Sequence, residues 1–278
     1  MKKNTSFTLK SLFIAGLCTA LFSCNRQTVT DDTAIITNDD NSAENAFYDL
    51  KAAGDAAGTQ ETSKLKSFEK GLKDSCITVK VIDFDSISKK GKVELDFGST
   101  NCTCKDGKQR RGKIEVEYKP ANTLIGSEVV YTPNQYFVND YGISGKKSVK
   151  IVAPYSWRIH VENGVVTRPD GKTITWSSDR VRTMVAGKGD LDPTNDSFEV
   201  TGTSSGKNSA GNDYSFETET PLLFSYGCQY ISSGKLKIKR SGKKDAVVDY
   251  GDGTCDDKGT VTVGTWTKDI TLKGKLAK

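Results

Sequence analysis

From about Cys76 to the C-terminus, apolar residues recur at every second position. In Lys92-Val-Glu-Leu-Asp-Phe97, Val93, Leu95 and Phe97 share one face. Lys113–Tyr118 alternates in the same way, as do Lys146–Val152, Tyr155–Val161, Lys172–Trp176, Lys235–Ile238 and Gly259–Val263. Turn formers separate the runs: Lys90-Gly91, Asp106-Gly107, Asn163-Gly164, Pro169-Asp170-Gly171, Gly211-Asn212-Asp213 and Ser241-Gly242. Short alternating runs between such turns, with no helical period among them, predict an all-β antiparallel meander with one packed and one solvated face. The hydrophobic content of 35% implies a thin core. Residues 74–278 are therefore expected to form one β domain, a sandwich or an open barrel.

Upstream the period changes. Ala43, Ala46, Phe47, Leu50, Ala53, Gly54 and Ala57 recur every three to four residues, with Asn41 placed as N-cap and Glu44 as its capping-box partner. That pattern predicts a short helix inside a helical and linker segment, 42–73. Asn25–Asp40 is rich in Thr, Asp and Asn and has no apolar period, which predicts a disordered acidic tether over 24–41. At the N-terminus, Lys2, Lys3 and Lys10 precede an apolar run from Leu12 to Phe22 that is too short to span a bilayer stably. Residues 1–23 read as a cleaved signal peptide.

Leu21-Phe22-Ser23-Cys24 resembles the lipobox of bacterial lipoproteins. The resemblance implies a diacylglyceryl group on the Cys24 sulfur, cleavage before Cys24 and acylation of its new amine. Two or three acyl chains, at about 0.8 kcal/mol per buried CH₂, make a stable anchor. Asn25 follows Cys24 in place of the Asp that retains lipoproteins in the inner membrane of enteric bacteria. An outer-membrane location, periplasmic or surface-facing, is expected.

Processing alters the charge. The +5 of the full chain falls to +2 once Lys2, Lys3 and Lys10 leave. Residues 25–62 then hold eight acidic residues against Arg26 and Lys51, a net of −6, so residues 63–278 carry +8. A mildly basic, exported domain with interspersed carboxylates and no basic stripe argues against nucleic acid as a partner.

One block occurs twice. Val93-Glu-Leu-Asp96-Phe97-Gly98-Ser-Thr-Asn-Cys102 aligns without gaps to Ala246-Val-Val-Asp249-Tyr250-Gly251-Asp-Gly-Thr-Cys255. Arg111–Val116 then matches Lys258–Val263, and Cys76 and Cys228 lie at equivalent upstream positions. The related blocks are 76–118 and 228–272. With Cys18 removed and Cys24 lipidated, the repeat suggests disulfides Cys76–Cys102 and Cys228–Cys255, with Cys104 left over. The competing pairing joins Cys76 to Cys104. A Cys-x-Cys metal or redox site lacks further ligands, since the chain has one His.

Candidate chemistry is sparse. His160, the sole histidine, falls on the wet face of its strand. Gly202-Thr-Ser204-Ser-Gly206 matches G-x-S-x-G, but it joins two strand-like runs and reads as a hairpin tip rather than a nucleophile elbow. Asp83/Asp85, Glu94/Asp96 and Glu115/Glu117 pair on strand faces as glycosidase carboxylates can, and also as any Lys-interleaved solvated face does. Asp249, Asp252, Asp256 and Asp257 crowd one loop and form a weak Ca²⁺ candidate, without the usual ligand order. Tyr131, Tyr136, Phe137, Tyr141, Tyr155 and Trp157 are the densest aromatic stretch, mostly core, with an outward subset able to stack on sugar rings. No catalytic residue, metal site or cofactor motif stands out.

The Asp-aromatic-Gly-x₃-Cys blocks, with Asp106-Gly107, Arg111–Ile114, Pro169–Trp176 and Val200–Gly206, resemble a family of uncharacterised Bacteroidetes lipoproteins across roughly residues 42–272. The resemblance implies a surface or periplasmic lipoprotein and supplies no activity. Asp32-Thr33-Ala34 and Asp85-Ser86-Ile87 are similar to the O-glycosylation sequon of that phylum. The function expected is a membrane-anchored, non-enzymatic binding or assembly module with a glycan or envelope-protein partner. The alternative is a carbohydrate-active hydrolase or its accessory carbohydrate-binding domain.

Overall fold

The computed structural model describes residues 24–56, 76–85, 87–121, 123–190 and 192–272. The signal segment and most of the linker after the helix lie outside them. Helix α1 (Cys24–Ala56) leads into strands β1 (Thr78–Asp85), β2 (Lys90–Asp96), β3 (Cys102–Thr103), β4 (Gln109–Lys119), β5 (Glu128–Val138), β6 (Tyr141–Ala153) and β7 (Ser156–Thr167). β8 (Thr173–Ala186), β9 (Ser197–Lys207), β10 (Asp213–Ser225), β11 (Ile231–Arg240), β12 (Ala246–Asp252), β13 (Lys258–Val263) and β14 (Trp266–Thr271) follow. All strands join one open antiparallel sheet in chain order, with only the short β3 off the path, beside β4. The predicted meander is present as a single sheet.

Asn163-Gly164, expected as a turn, instead sits inside β7. The register slips between Val161 and Gly164, and Asn163 takes a positive φ of 52°, as at a bulge. The helix explains this: a Cβ on Gly164 would lie 2.9 Å from the Phe47 ring and 2.5 Å from the Trp176 carbonyl oxygen.

The expected tether is corrected as well. α1 begins at Cys24, so Asn41 lies mid-helix and caps nothing. Intrinsic propensity does not favour this segment. Three of its polar side chains turn back onto the helix: Thr37 donates to the Thr33 carbonyl, Ser42 to Asn38 and Asn45 to Asn41. The stripe read from Ala43 to Gly54 is buried and continues upstream through Asp40, Asp39, Ile36 and Thr33. Those upstream members are mostly polar, so a search for apolar spacing passes over them.

α1 lies across the strands. Between Thr33 and Asp49 its axis covers about 24 Å, whereas β4 to β11 laid flat cover about 34 Å. The long side chains of Arg110 and Arg240 reach in from the two flanks and span the difference. Buried residues from Val93 on β2 to Val261 on β13 form one cluster that includes Ile36, Phe47 and Leu50 of the helix.

Candidate functional site

Because the strands alternate in direction, the turns fall at two opposite ends of the sheet. The helix sits toward the end formed by the β7–β8, β9–β10 and β11–β12 turns, and three buried helix carboxylates fix it there. Asp39 accepts from the Ser209 backbone N–H at 2.7 Å and faces Arg168 at 3.5 Å. Asp40, 3% exposed, accepts from Trp176 Nε1 at 2.6 Å and Ser204 Oγ at 2.9 Å, and pairs with Arg180 at 3.2 Å. Arg180 also pairs with Glu44. Asp49, 1% exposed, accepts from Arg110 Nε at 3.1 Å and Nη2 at 2.7 Å, from Lys108 at 2.8 Å and from the Tyr136 hydroxyl at 2.6 Å.

The two carboxyls differ in sign. Burial pushes the Asp40 carboxyl up, and Arg180 and the Trp176 and Ser204 bonds offset only part of that. Burial also acts against ionised Asp49, but the Arg110, Lys108 and Tyr136 donors outweigh it and hold Asp49 below the usual carboxylate range. In sequence both belong to the acidic stretch 25–62 and carry no mark of burial. Their partners lie on β4 to β10, far along the chain, and no local signal could have announced them.

The repeated blocks fold alike. Asp96 pairs across the sheet with Lys113, Leu95 with Ile114 and Val93 with Val116. Asp249, Val248 and Ala246 pair equivalently with Thr260, Val261 and Val263. In both, the Asp carboxylate accepts from the Gly two residues on, Gly98 at 2.8 Å and Gly251 at 3.0 Å, and each Gly has positive φ. Phe97 and Tyr250 are buried at matching positions. Cys76 lies within disulfide reach of Cys102 (Cα–Cα 5.5 Å) and Cys228 of Cys255 (5.7 Å). The pairs sit at opposite ends of the sheet. Cys104 is buried outside both, its thiol 3.8 Å from the Cys102 carbonyl.

The remaining candidates do not assemble. Gly202–Gly206 lies within β9 rather than at a hairpin tip; the tip is Asn208–Asn212. Ser204 points inward, 2% exposed, onto Asp40 and Arg180. His160 stays on the solvent face, its Nδ1 4.0 Å from an Asp179 carboxylate that Arg158 already holds. It lines an open cleft of about 330 Å³ with Asp179, Thr203, Ser205, Glu217 and Lys239.

Lys113 bridges Glu94 and Asp96 at 2.8 and 3.0 Å, and Lys92 pairs with Glu115 at 2.8 Å. The backbone N–H of Gly98 and then Lys113 keep Asp96 below its ordinary range. In the calcium candidate, Asp249, Asp252 and Asp256 each turn onto a backbone N–H two residues ahead, not toward a shared centre. Among the described residues no group of three or more His, Cys, Asp or Glu gathers in metal-holding geometry. Tyr131 and Tyr136 are core and Tyr155 is exposed. Thr33, the first sequon site, is 6% exposed and bonded to Arg240, which closes it to a glycan in the folded chain; Ser86 lies outside the described residues. Comparison with protein-family models, with curated proteins and with solved structures returns no match, so any functional reading rests on the residues above.

Proposed function

We propose that the chain is an outer-membrane-anchored envelope lipoprotein that works as a non-enzymatic binding or assembly module. The observation that carries the export half of this reading is the pair of disulfide-distance cysteine couples on two equivalent blocks. Such bonds persist outside the reducing cytoplasm. The lipobox at Leu21–Cys24 supplies the anchor. Since α1 begins at Cys24, the lipid would join the domain through the helix itself, not through a flexible tether.

The non-enzymatic half draws on how the polar groups are used. Ionisable residues inside the sheet hold the helix in place, and the carboxylate rows on the solvent face are neutralised by interleaved lysines. A glycosidase acid needs a carboxyl with raised pKa facing its substrate. Asp96 is shifted the other way, and the raised Asp40 is enclosed by the helix and sheet.

The test is fractionation of cells expressing the wild-type and Cys24→Ala chains, with radiolabelled palmitate feeding. Wild type should pellet with outer membrane and carry label; the variant should be unlabelled and released. A Cys24→Ala chain that remains acylated and membrane-bound would overturn the reading.

A further inference from the structure

The helix covers only part of the face it packs on. At the other end of the sheet, cross-strand register aligns Ile151, Trp157, Arg182 and Val200 in one row on the helix-bearing face. Ile159 lies beside that row next to Arg180, and Met184 pairs with Phe198 on its other side. These side chains are partly buried, yet the apolar ones lie outside the core cluster. They form an apolar surface that continues from the core at Leu222, which pairs with Val200, and the helix comes near it only at Arg182, through Tyr48 and Glu44. Exposed Val152, Tyr155 and Val185 stand at the same end, at the β6–β7 turn and the close of β8.

Arg182 is the one cation in that row. Its guanidinium lies 3.6 Å from the Phe198 ring centroid. Among the described residues it has no ion pair or hydrogen bond, whereas its neighbour Arg180, two residues away on the same face, holds both Asp40 and Glu44. A guanidinium stacked on an aromatic ring still presents its N–H edge to an oxyanion.

We propose that this strip binds one long-chain amphiphile with an anionic head group, a fatty-acid type of ligand. The hydrocarbon lies on one side of Arg182, along Trp157, Ile159 and Ile151 on β7 and β6, and the carboxylate sits on Arg182. This deepens the binding-module reading and rests on it. The charge complementarity selects the ligand: a neutral hydrocarbon leaves the guanidinium without an acceptor, and a soluble anion leaves the apolar strip exposed.

The experiment uses the mature full chain carrying Cys24→Ala, so that its own lipid cannot occupy the strip. Displacement of a fluorescent dansyl fatty acid is measured with oleate and with methyl oleate, both below micelle formation. Oleate should bind one to one, and methyl oleate about tenfold or more weaker, as expected for loss of a charge-assisted hydrogen bond. Arg182→Met should abolish that discrimination while melting within a few degrees of wild type, because Arg182 has no ion pair or hydrogen bond to lose and methionine can still pack on the Phe198 ring. Trp157→Ala should weaken both ligands.

Equal affinity of the Arg182→Met chain for oleate would overturn the proposal. So would binding to phosphatidylglycerol vesicles without binding of monomeric oleate, or oleate binding that appears only after residues 57–75 are deleted. None of these outcomes touches the anchoring reading, which the Cys24 fractionation decides separately.

Discussion

Asp49→Ala offers the sharpest test of how the helix is held. Asp49 and Arg110 are 1% and 4% exposed at the side chain, joined through Arg110 Nη2 at 2.7 Å. Removing the carboxylate leaves Arg110 buried with only Asp106, which is 46% exposed, and strips the Tyr136 hydroxyl of its acceptor. Breaking one partner of a buried pair costs about 3–5 kcal/mol, a large part of the roughly 5–15 kcal/mol that holds a domain together. The melting temperature should fall by about 6–20 °C.

Urea unfolding of the mature chain, followed by tryptophan fluorescence, reads this directly. Trp176 packs on Phe47 at 5.6 Å between ring centroids and donates to Asp40, so it reports helix docking. The pH dependence has a definite sign. Asp49 is depressed in the fold, so its contribution is present above the unfolded carboxylate value and is lost as pH falls through the lower folded value. The variant should therefore lack part of the wild type's acid limb below about pH 4. The triple change Asp49→Leu, Arg110→Met, Tyr136→Phe removes every buried partner together and should recover most of the loss. A shift under about 0.5 kcal/mol for Asp49→Ala, or a triple variant no more stable than the single one, would refute the reasoning.

Gly164→Ala should push Phe47 off β7 and cost about 1–3 kcal/mol, seen as a lower melting temperature with altered Trp176 fluorescence. Asp40→Asn should behave oppositely to Asp49→Ala: the raised Asp40 contributes fully below the unfolded carboxylate value and loses that contribution as pH rises. Asparagine should thus flatten the wild-type decline toward neutral pH and cost less at pH 7, which urea midpoints from pH 4 to 8 would show. Replacing Cys228 and Cys255 together by Ala should cost about 3–4 kcal/mol in denaturant unfolding. Non-reducing peptide mapping should link Cys76 to Cys102 and leave Cys104 to alkylate only after unfolding; a Cys76–Cys104 peptide would contradict the paired geometry.

What could be read from the chain alone was whatever depends on neighbours in sequence. Period-two alternation placed the strands, because successive side chains on a strand face opposite sides whatever lies beyond. The Asp-aromatic-Gly-x₃-Cys repeat carried its own turn chemistry, so two copies predicted two equivalent cysteine pairs. What only the tertiary structure decided was set by partners on other elements, well separated along the chain. Asn25–Asp40 reads as a solvated tether until Arg168, Arg180 and Arg240 are seen bonding Asp39, Asp40 and Thr33. Ser204 reads as part of a turn until Asp40 is found beneath it, and Asn163-Gly164 as a turn until Phe47 is found against it. Trp157, Arg182 and Val200 sit on three strands and meet in one row only through the pairing of the sheet. A buried charge is stabilised by geometry in space, and spacing along the chain carries no record of it.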